Sequence, residues 1–267
     1  MQNDTIASSP TDPAPRPLVP GPDLLAVDWS RLDGVDLRAR YHSECRGGDF
    51  FDALAIGHRV LFLMTDIAGA RSQAKQAALV AQSVFRQRAE EFFLGSEVNE
   101  SDAVAALAHA VNLSLIEAAD GVRFAPTFLG CFNRVLGILT YCNAGSLLAL
   151  FRDGGNVRVL ESTGMPLGLF THTTFEAVVL AFQEGDSLLV VTKGVVESGR
   201  GADEFGVERV ERLLKESTVE SASEICNTVL QQAYDFANRP WSRVLGFLHP
   251  GKRQDDLTAL ALVHRRQ

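Results

Sequence analysis

Apolar and polar positions change period several times along the chain, and each change marks an element. Residues 35–41 alternate as a strand does. The glycine turn Gly47-Gly48 then leads into a second strand that ends at Ile56. Gly57-His58 supplies a hairpin turn into the apolar run 60–65, which stops at Asp66-Ile67-Ala68-Gly69. The period next lengthens: Ala77, Val80, Ala81, Val84, Phe85, Ala89 and Phe92 recur at helical spacing and predict a helix over 72–93. Ser101-Asp102 reads as the cap of a second helix, which carries Val104, Leu107, Ala108, Val111, Leu115 and Ile116 and stops at Asp120-Gly121.

Strand patterning returns after Thr127. It predicts a hairpin of 128–135 and 138–143 around Leu136-Gly137, and another of 147–152 and 157–160 around Asp153-Gly154-Gly155-Asn156. Strands over 175–182 and 187–192 follow, the second running into a glycine-containing turn at Lys193-Gly194. Helical spacing reappears over 207–216 and 222–237, residues 238–254 read as irregular, and 257–263 alternate as a last strand. Strands in hairpins with segregated helix pairs define an α+β chain with antiparallel sheets, not an alternating βαβ one.

Composition adds boundaries. Residues 1–22 hold six prolines among Ser, Thr, Asp and Asn, the make-up of a flexible leader that cannot bury a core. Residues 23–267 read as one domain. The net charge of -8 disfavours nucleic acid and anionic membrane as partners, since both call for a basic surface. No apolar run approaches the length of a membrane span, and the first residues lack the basic and apolar regions of a secretory signal. The four cysteines, Cys45, Cys131, Cys142 and Cys226, form no Cys-x-x-Cys pair, which points to free thiols and a cytoplasmic location. Zinc spacings are missing too, so a metal here would be carboxylate-bound and hard, magnesium or manganese.

Three acidic points share a context. Asp49, Asp66 and the pair Asp255-Asp256 each lie at a strand end or beside a glycine turn. Carboxylates converging from strand ends suit a hard cation; taken singly, each also suits a turn aspartate bonding nearby amides. Arg46, three residues before Asp49, reads either as a bidentate phosphate contact or as a solvated turn residue.

The motifs around these points resemble those of the stage II sporulation protein E-type domain, a branch of the metal-dependent protein phosphatases related to protein phosphatase 2C. The similar segments, in order, are Gly47-Gly48-Asp49-Phe50-Phe51-Asp52, Thr65-Asp66-Ile67-Ala68-Gly69, Tyr141-Cys142-Asn143-Ala144-Gly145, Gly164-Met165-Pro166-Leu167-Gly168, Thr192-Lys193-Gly194-Val195-Val196-Glu197 and Asp255-Asp256-Leu257-Thr258. The resemblance implies a four-layer α/β/β/α sandwich, two antiparallel sheets flanked by helix pairs. It also implies hydrolysis of phosphoserine or phosphothreonine on a regulatory protein, an anti-sigma-factor antagonist being the family's common partner. Two manganese or magnesium ions would activate the attacking water. By motif position Asp66 would bridge both ions, the Ile67 carbonyl and, through water, Asp49 would serve the second, Asp255 would bind the first, and Asp256 would support the site.

One departure bears on activity. Lys193 stands where the family's motif carries a metal-ligand aspartate. The exchange swings the local charge by two units, and one unit pair about 4 Å apart is worth roughly 4 kcal/mol at an effective dielectric of 20. The ammonium would either pair with Asp66 and Asp255 in the metal's place or turn to solvent. Two readings follow: a phosphatase that tolerates Lys193, or a metal-impaired pseudophosphatase that binds its partner without turnover. Ser146, Ala68 and Ala70-Arg71 are milder departures.

Overall fold

The computed structural model describes residues 16–17, 35–42, 48–118, 124–200, 203–217, 221–239 and 256–264. In chain order the elements are β1 (Arg16–Pro17), β2 (Asp36–His42), β3 (Asp49–Ile56), β4 (Arg59–Asp66), α1 (Arg71–Phe93), α2 (Glu100–Glu117), β5 (Thr127–Asn133), β6 (Ile138–Ala144), β7 (Leu148–Asp153), β8 (Asn156–Val159), β9 (Val178–Ala181), β10 (Ser187–Val191), α3 (Lys193–Val196), β11 (Gly199–Arg200), β12 (Asp203–Glu204), α4 (Val207–Glu216), α5 (Ala222–Ala237) and β13 (Leu257–Val263).

Two antiparallel sheets carry the fold, one ordered β1-β2-β13-β10-β7-β8 and the other β3-β4-β5-β6-β9. Their strands read as nearly unbroken apolar runs because both faces are covered, and side chains alternate between the two covers. In β4, Val60, Phe62 and Met64 join the core between the sheets, while Leu61 and Leu63 pack under α1 and α2. In β10, Leu188 and Val190 face the other sheet, while Leu189 and Val191 face α5 and α4. Three apolar cores therefore separate four layers: helix pair, sheet, sheet, helix pair. This is the expected α/β/β/α sandwich.

Cross-strand packing of β4 against β5 explains one residue. Gly130 lies in β5 beneath the Phe62 ring, and a Cβ there would fall inside the ring's van der Waals envelope. The two-residue turn joining β7 to β8, Gly154-Gly155, has φ of 47° and 94°, the left-handed conformation that such hairpins require.

Several boundaries differ from the sequence pattern, each for a local reason. Helix α2 is capped by Asn99, whose side chain accepts from the Ser101 and Asp102 amides at 3.2 and 3.4 Å, not by Ser101-Asp102. Strand β5 ends at Asn133 because its side-chain oxygen accepts from the Val135 and Leu136 amides, 3.1 Å each, and closes the turn. Only Val178–Ala181 of the 175–182 run becomes strand; Phe175 is drawn into the core under the helices and Phe182 into the core between the sheets. The turn after β10 is a single helical turn, α3, entered from an extended Thr192. Asn112, part of an Asn-Leu-Ser sequence, is fully buried and holds the 164–170 loop, accepting from the Gly168 amide at 2.8 Å and donating to the Phe170 carbonyl at 3.0 Å. No helix among the described residues is long and apolar enough to cross a membrane.

Candidate metal-binding and catalytic site

The inward-facing rows of four strands end in polar residues at one mouth of the inter-sheet core. Along β3 the row is Asp49, Phe51, Ala53; along β4 it is Val60, Phe62, Met64, Asp66. From the opposite sheet come Leu188 and Val190 of β10, followed by Thr192, and Leu262 and Leu260 of β13, preceded by Thr258 and Asp256. Period-two alternation thus points Asp49, Asp66, Thr192, Thr258 and Asp256 toward one another once the sheets are stacked.

Contacts agree with that parity. Asp49 and Asp66 are direct cross-strand partners, which brings their Cβ atoms to about 5 Å. The Thr192 hydroxyl donates to Asp49 Oδ2 at 3.0 Å, and the Thr258 hydroxyl donates to the same oxygen. The two threonines are themselves tied together, Thr192 N to the Thr258 carbonyl at 3.0 Å and Thr258 N to the Thr192 hydroxyl at 3.1 Å. Asp256 Oδ2 accepts from the Gly48 amide at 3.2 Å. Gly48 carries no side chain because none fits: a Cβ would sit 2.6 Å from the Ile67 carbonyl oxygen and 3.8 Å from Asp66 Oδ1. The Ile67 amide donates to the Gly48 carbonyl at 3.0 Å.

Desolvation pushes the Asp49 carboxyl well above the ordinary carboxylate range, and the neighbouring negative charges of Asp66 and Asp256 push it further, against the lowering influence of the Thr258 and Thr192 hydroxyls. Like charges set directly opposite on adjacent strands repel, so this arrangement stores negative potential at the mouth. Its donors are all oxygen: two carboxylates, a third on Asp256 and the Ile67 carbonyl. That set fits a hard divalent cation. Among the described residues, no three His, Cys, Asp or Glu side chains gather closely enough to form a complete metal cluster by themselves.

Lys193 has the opposite parity to Thr192 and begins α3. Its side chain is 70% exposed and its Nζ lies 3.0 Å from Glu197 Oε1, one helical turn ahead. Asp255 and Arg46 lie outside the described residues. Thr192 and Thr258 stand in the sequence only as members of their motifs; the signal that assigns them to the site is the inward parity of residues 192 and 258 beside strands that pair in register. Asp52, the last residue of the Gly-Gly-Asp motif, is on the other face of β3, fully buried and gripped by Arg86 of α1 through two 2.7 Å bonds. The described cysteines, Cys131, Cys142 and Cys226, are buried free thiols; burial pushes Cys226 up to about 12.

Fold and strand-end carboxylates together define a protein phosphatase 2C-like domain. Solved structures of that fold superpose over most of the chain. The SiaA protein phosphatase 2C domain of Pseudomonas aeruginosa matches with a TM-score of 0.67 and 16% identity, over 87% of this chain and 86% of that one. The RsbU and RsbW domains of a Mycobacterium tuberculosis protein match with a TM-score of 0.67 and 23% identity, over 86% of this chain and 61% of that one. The phosphatase domain of SpoIIE from Bacillus subtilis, solved with a fragment of its regulatory domain, gives 0.60 and 16%, over 86% and 63%. The family is narrower than the fold: the model of Stage II sporulation protein E (SpoIIE) matches residues 56–265, and the chain belongs to that family. Protein IcfG of Synechocystis is 26% identical over 148 residues, 55% of this chain but 22% of IcfG's own length.

Proposed function

We propose that the chain is a manganese- or magnesium-dependent protein serine/threonine phosphatase acting on a phosphorylated regulatory protein. The observation that carries this reading is the Asp49–Asp66 pair, opposed across β3 and β4 at the mouth between the sheets. Asp66, the Ile67 carbonyl and Asp49 would hold one cation, and Asp255, supported by Asp256, would serve a second position weakened by Lys193. A bound dication supplies charge neutralisation on the phosphoryl oxygens and acidifies a water at neutral pH. The protein's part is positioning. Thr192 and Thr258 fix Asp49 by its Oδ2, and Gly48 keeps the approach to Ile67 open. Water oxygen bonds to phosphorus as the P–O bond to the serine or threonine breaks. The departing oxygen keeps the bonding pair and takes a proton, leaving inorganic phosphate and a free hydroxyl. Arg46 is the group suited to hold the phosphate.

A regulatory-protein partner, of which the anti-sigma-factor-antagonist kind is the one we favour, is supported by the similar structures: RsbX in complex with magnesium, a structure of the bacterial stressosome system, and the RsbU and RsbW domains. A cytoplasmic setting is part of the same proposal. The alternative, a metal-impaired pseudophosphatase used as a binding module, is favoured by Lys193 alone. Manganese titration with hydrolysis of a phosphoserine peptide separates them. Binding and turnover in the parent chain, both lost in Asp66→Asn, support the enzyme. Neither in the parent but both in Lys193→Asp support the binding module.

A further inference from the structure

On the outer helix layer, away from the carboxylates, α4 and α5 leave a small solvent-reachable cavity of about 240 Å³ between them. Three arginines converge on it. Arg209 and Arg212 come from one face of α4, three residues apart, and Arg239 follows the last turn of α5. The floor is aromatic: Phe205 meets Phe236 edge-on with centroids 5.5 Å apart. The guanidinium carbons of Arg209 and Arg239 lie 4.6 and 3.5 Å from the centre of the Phe236 ring. Two like charges are therefore held over a single ring, and their repulsion is offset only in part by the ring's quadrupole.

Both arginines are anchored, not swinging. Arg209 donates from one nitrogen to the Glu204 and Phe205 carbonyls at 3.1 and 2.6 Å. Arg239 donates to the Phe236 carbonyl at 3.0 Å and to Asp203 Oδ2 at 3.0 Å. Asp235, on the rim, is the one carboxylate that lines the cavity. Three arginines thus face Asp235 and the Asp203 carboxylate that pairs with Arg239, which leaves a surplus of one positive charge in a chain whose net charge is -8. Guanidinium groups held in place in this way, with Arg212 exposed beside them, suit a small oxyanion by charge and by their further N–H donors, and the cavity is smaller than the ~300–1,000 Å³ of sites for drug-sized ligands.

We infer that the α4–α5 cavity is a phosphate-binding site, separate from the carboxylate site, that takes a phosphate dianion either free or carried on a side chain. The pocket is tied to the turn that bears Lys193. The Phe205 amide donates to the Ser198 carbonyl at 2.7 Å, and the Gly206 amide donates to the Val196 carbonyl at 2.9 Å. An occupant would thus press on the segment leading from α3.

The test titrates the full chain, in EDTA, with inorganic phosphate, a phosphoserine peptide and its unphosphorylated twin, following arginine side-chain and backbone NMR signals and calorimetric heats. Arg212→Glu is the principal variant, because Arg212 is exposed and its replacement leaves the anchored pair intact; Arg209→Gln is the second, and Asp66→Asn is the control. Saturable binding that perturbs the 205–213 and 232–239 signals, weakens roughly tenfold in Arg212→Glu and persists in Asp66→Asn supports the site. The phosphate and phosphopeptide arms then tell free anion from phosphorylated side chain. Binding equal in the parent and Arg212→Glu, equal for the unphosphorylated peptide, lost in Asp66→Asn, or absent from the parent overturns it. Loss of metal-dependent hydrolysis would not touch this result, since the titration contains no metal.

Discussion

Lys193→Asp restores a carboxylate at the motif position where the family carries a metal ligand, and the structure fixes how much that should matter. The Lys193 side chain is 70% exposed and paired with Glu197 at 3.0 Å, so water screens its charge. The water-like value of about 1 kcal/mol for a unit pair at 4 Å then applies in place of the ~4 kcal/mol of a partly buried one. Against a dication a swing of two charges counts as four unit pairs, about 4 kcal/mol at about 4 Å and about 2 kcal/mol at about 8 Å. The longer distance suits a side chain that turns away to Glu197, and it corresponds to roughly thirtyfold in manganese affinity. Losing the pair with Glu197 costs at most about 0.5 kcal/mol, so the fold survives the change. Lys193→Met removes one charge and should give about half the free-energy gain. Isothermal titration with manganese after exhaustive dialysis against EDTA measures both, with phosphopeptide hydrolysis followed on the same samples. Affinities of Lys193→Asp and Lys193→Met within about threefold of the parent would refute the electrostatic coupling of residue 193 to the carboxylates.

Three further outcomes follow from the same geometry. The raised Asp49 carboxyl stabilises the metal-free fold fully below the ordinary carboxylate value of 3.8, and that contribution is lost as pH rises through the folded-state value. Asp49→Asn should therefore flatten the pH dependence of the urea midpoint in EDTA and raise metal-free stability at neutral pH by about 1 kcal/mol. Gly130→Ala forces a methyl into the Phe62 ring and should cost about 1–3 kcal/mol by urea denaturation. Arg86→Ala strands the fully buried Asp52; the loss should reach about 3 kcal/mol, the low end for a broken buried pair because Arg86 is 26% exposed. Asp52→Asn in that background should recover part of it.

Element by element, the sequence is most legible where one pattern has no competitor. Helices α4 and α5 and strand β13 begin and end where their spacing says. Boundaries moved where two residues could do one job, as with Asn99 and Ser101-Asp102 at the start of α2, or where a distant core claimed a side chain, as with Phe175. The arginine cavity was not legible, because Arg209, Arg212 and Arg239 belong to separate elements and only the packing of α4 on α5 brings them over Phe236.

The sequence by itself determined the family, the order of strands and helices, and the identity of the acidic strand ends, because alternation and short motifs are local properties of the chain. It also held the parity that turns Asp49, Asp66, Thr192 and Thr258 inward. Only the tertiary structure decided that these rows meet, since their convergence depends on how two sheets stack and on the register of β3 against β4 and of β10 against β13. The turn of helix at α3 decided the direction of Lys193. Its motif position suggests a residue at the metal, but one step along a strand reverses the face, and the helical turn that follows supplies Glu197 as its partner.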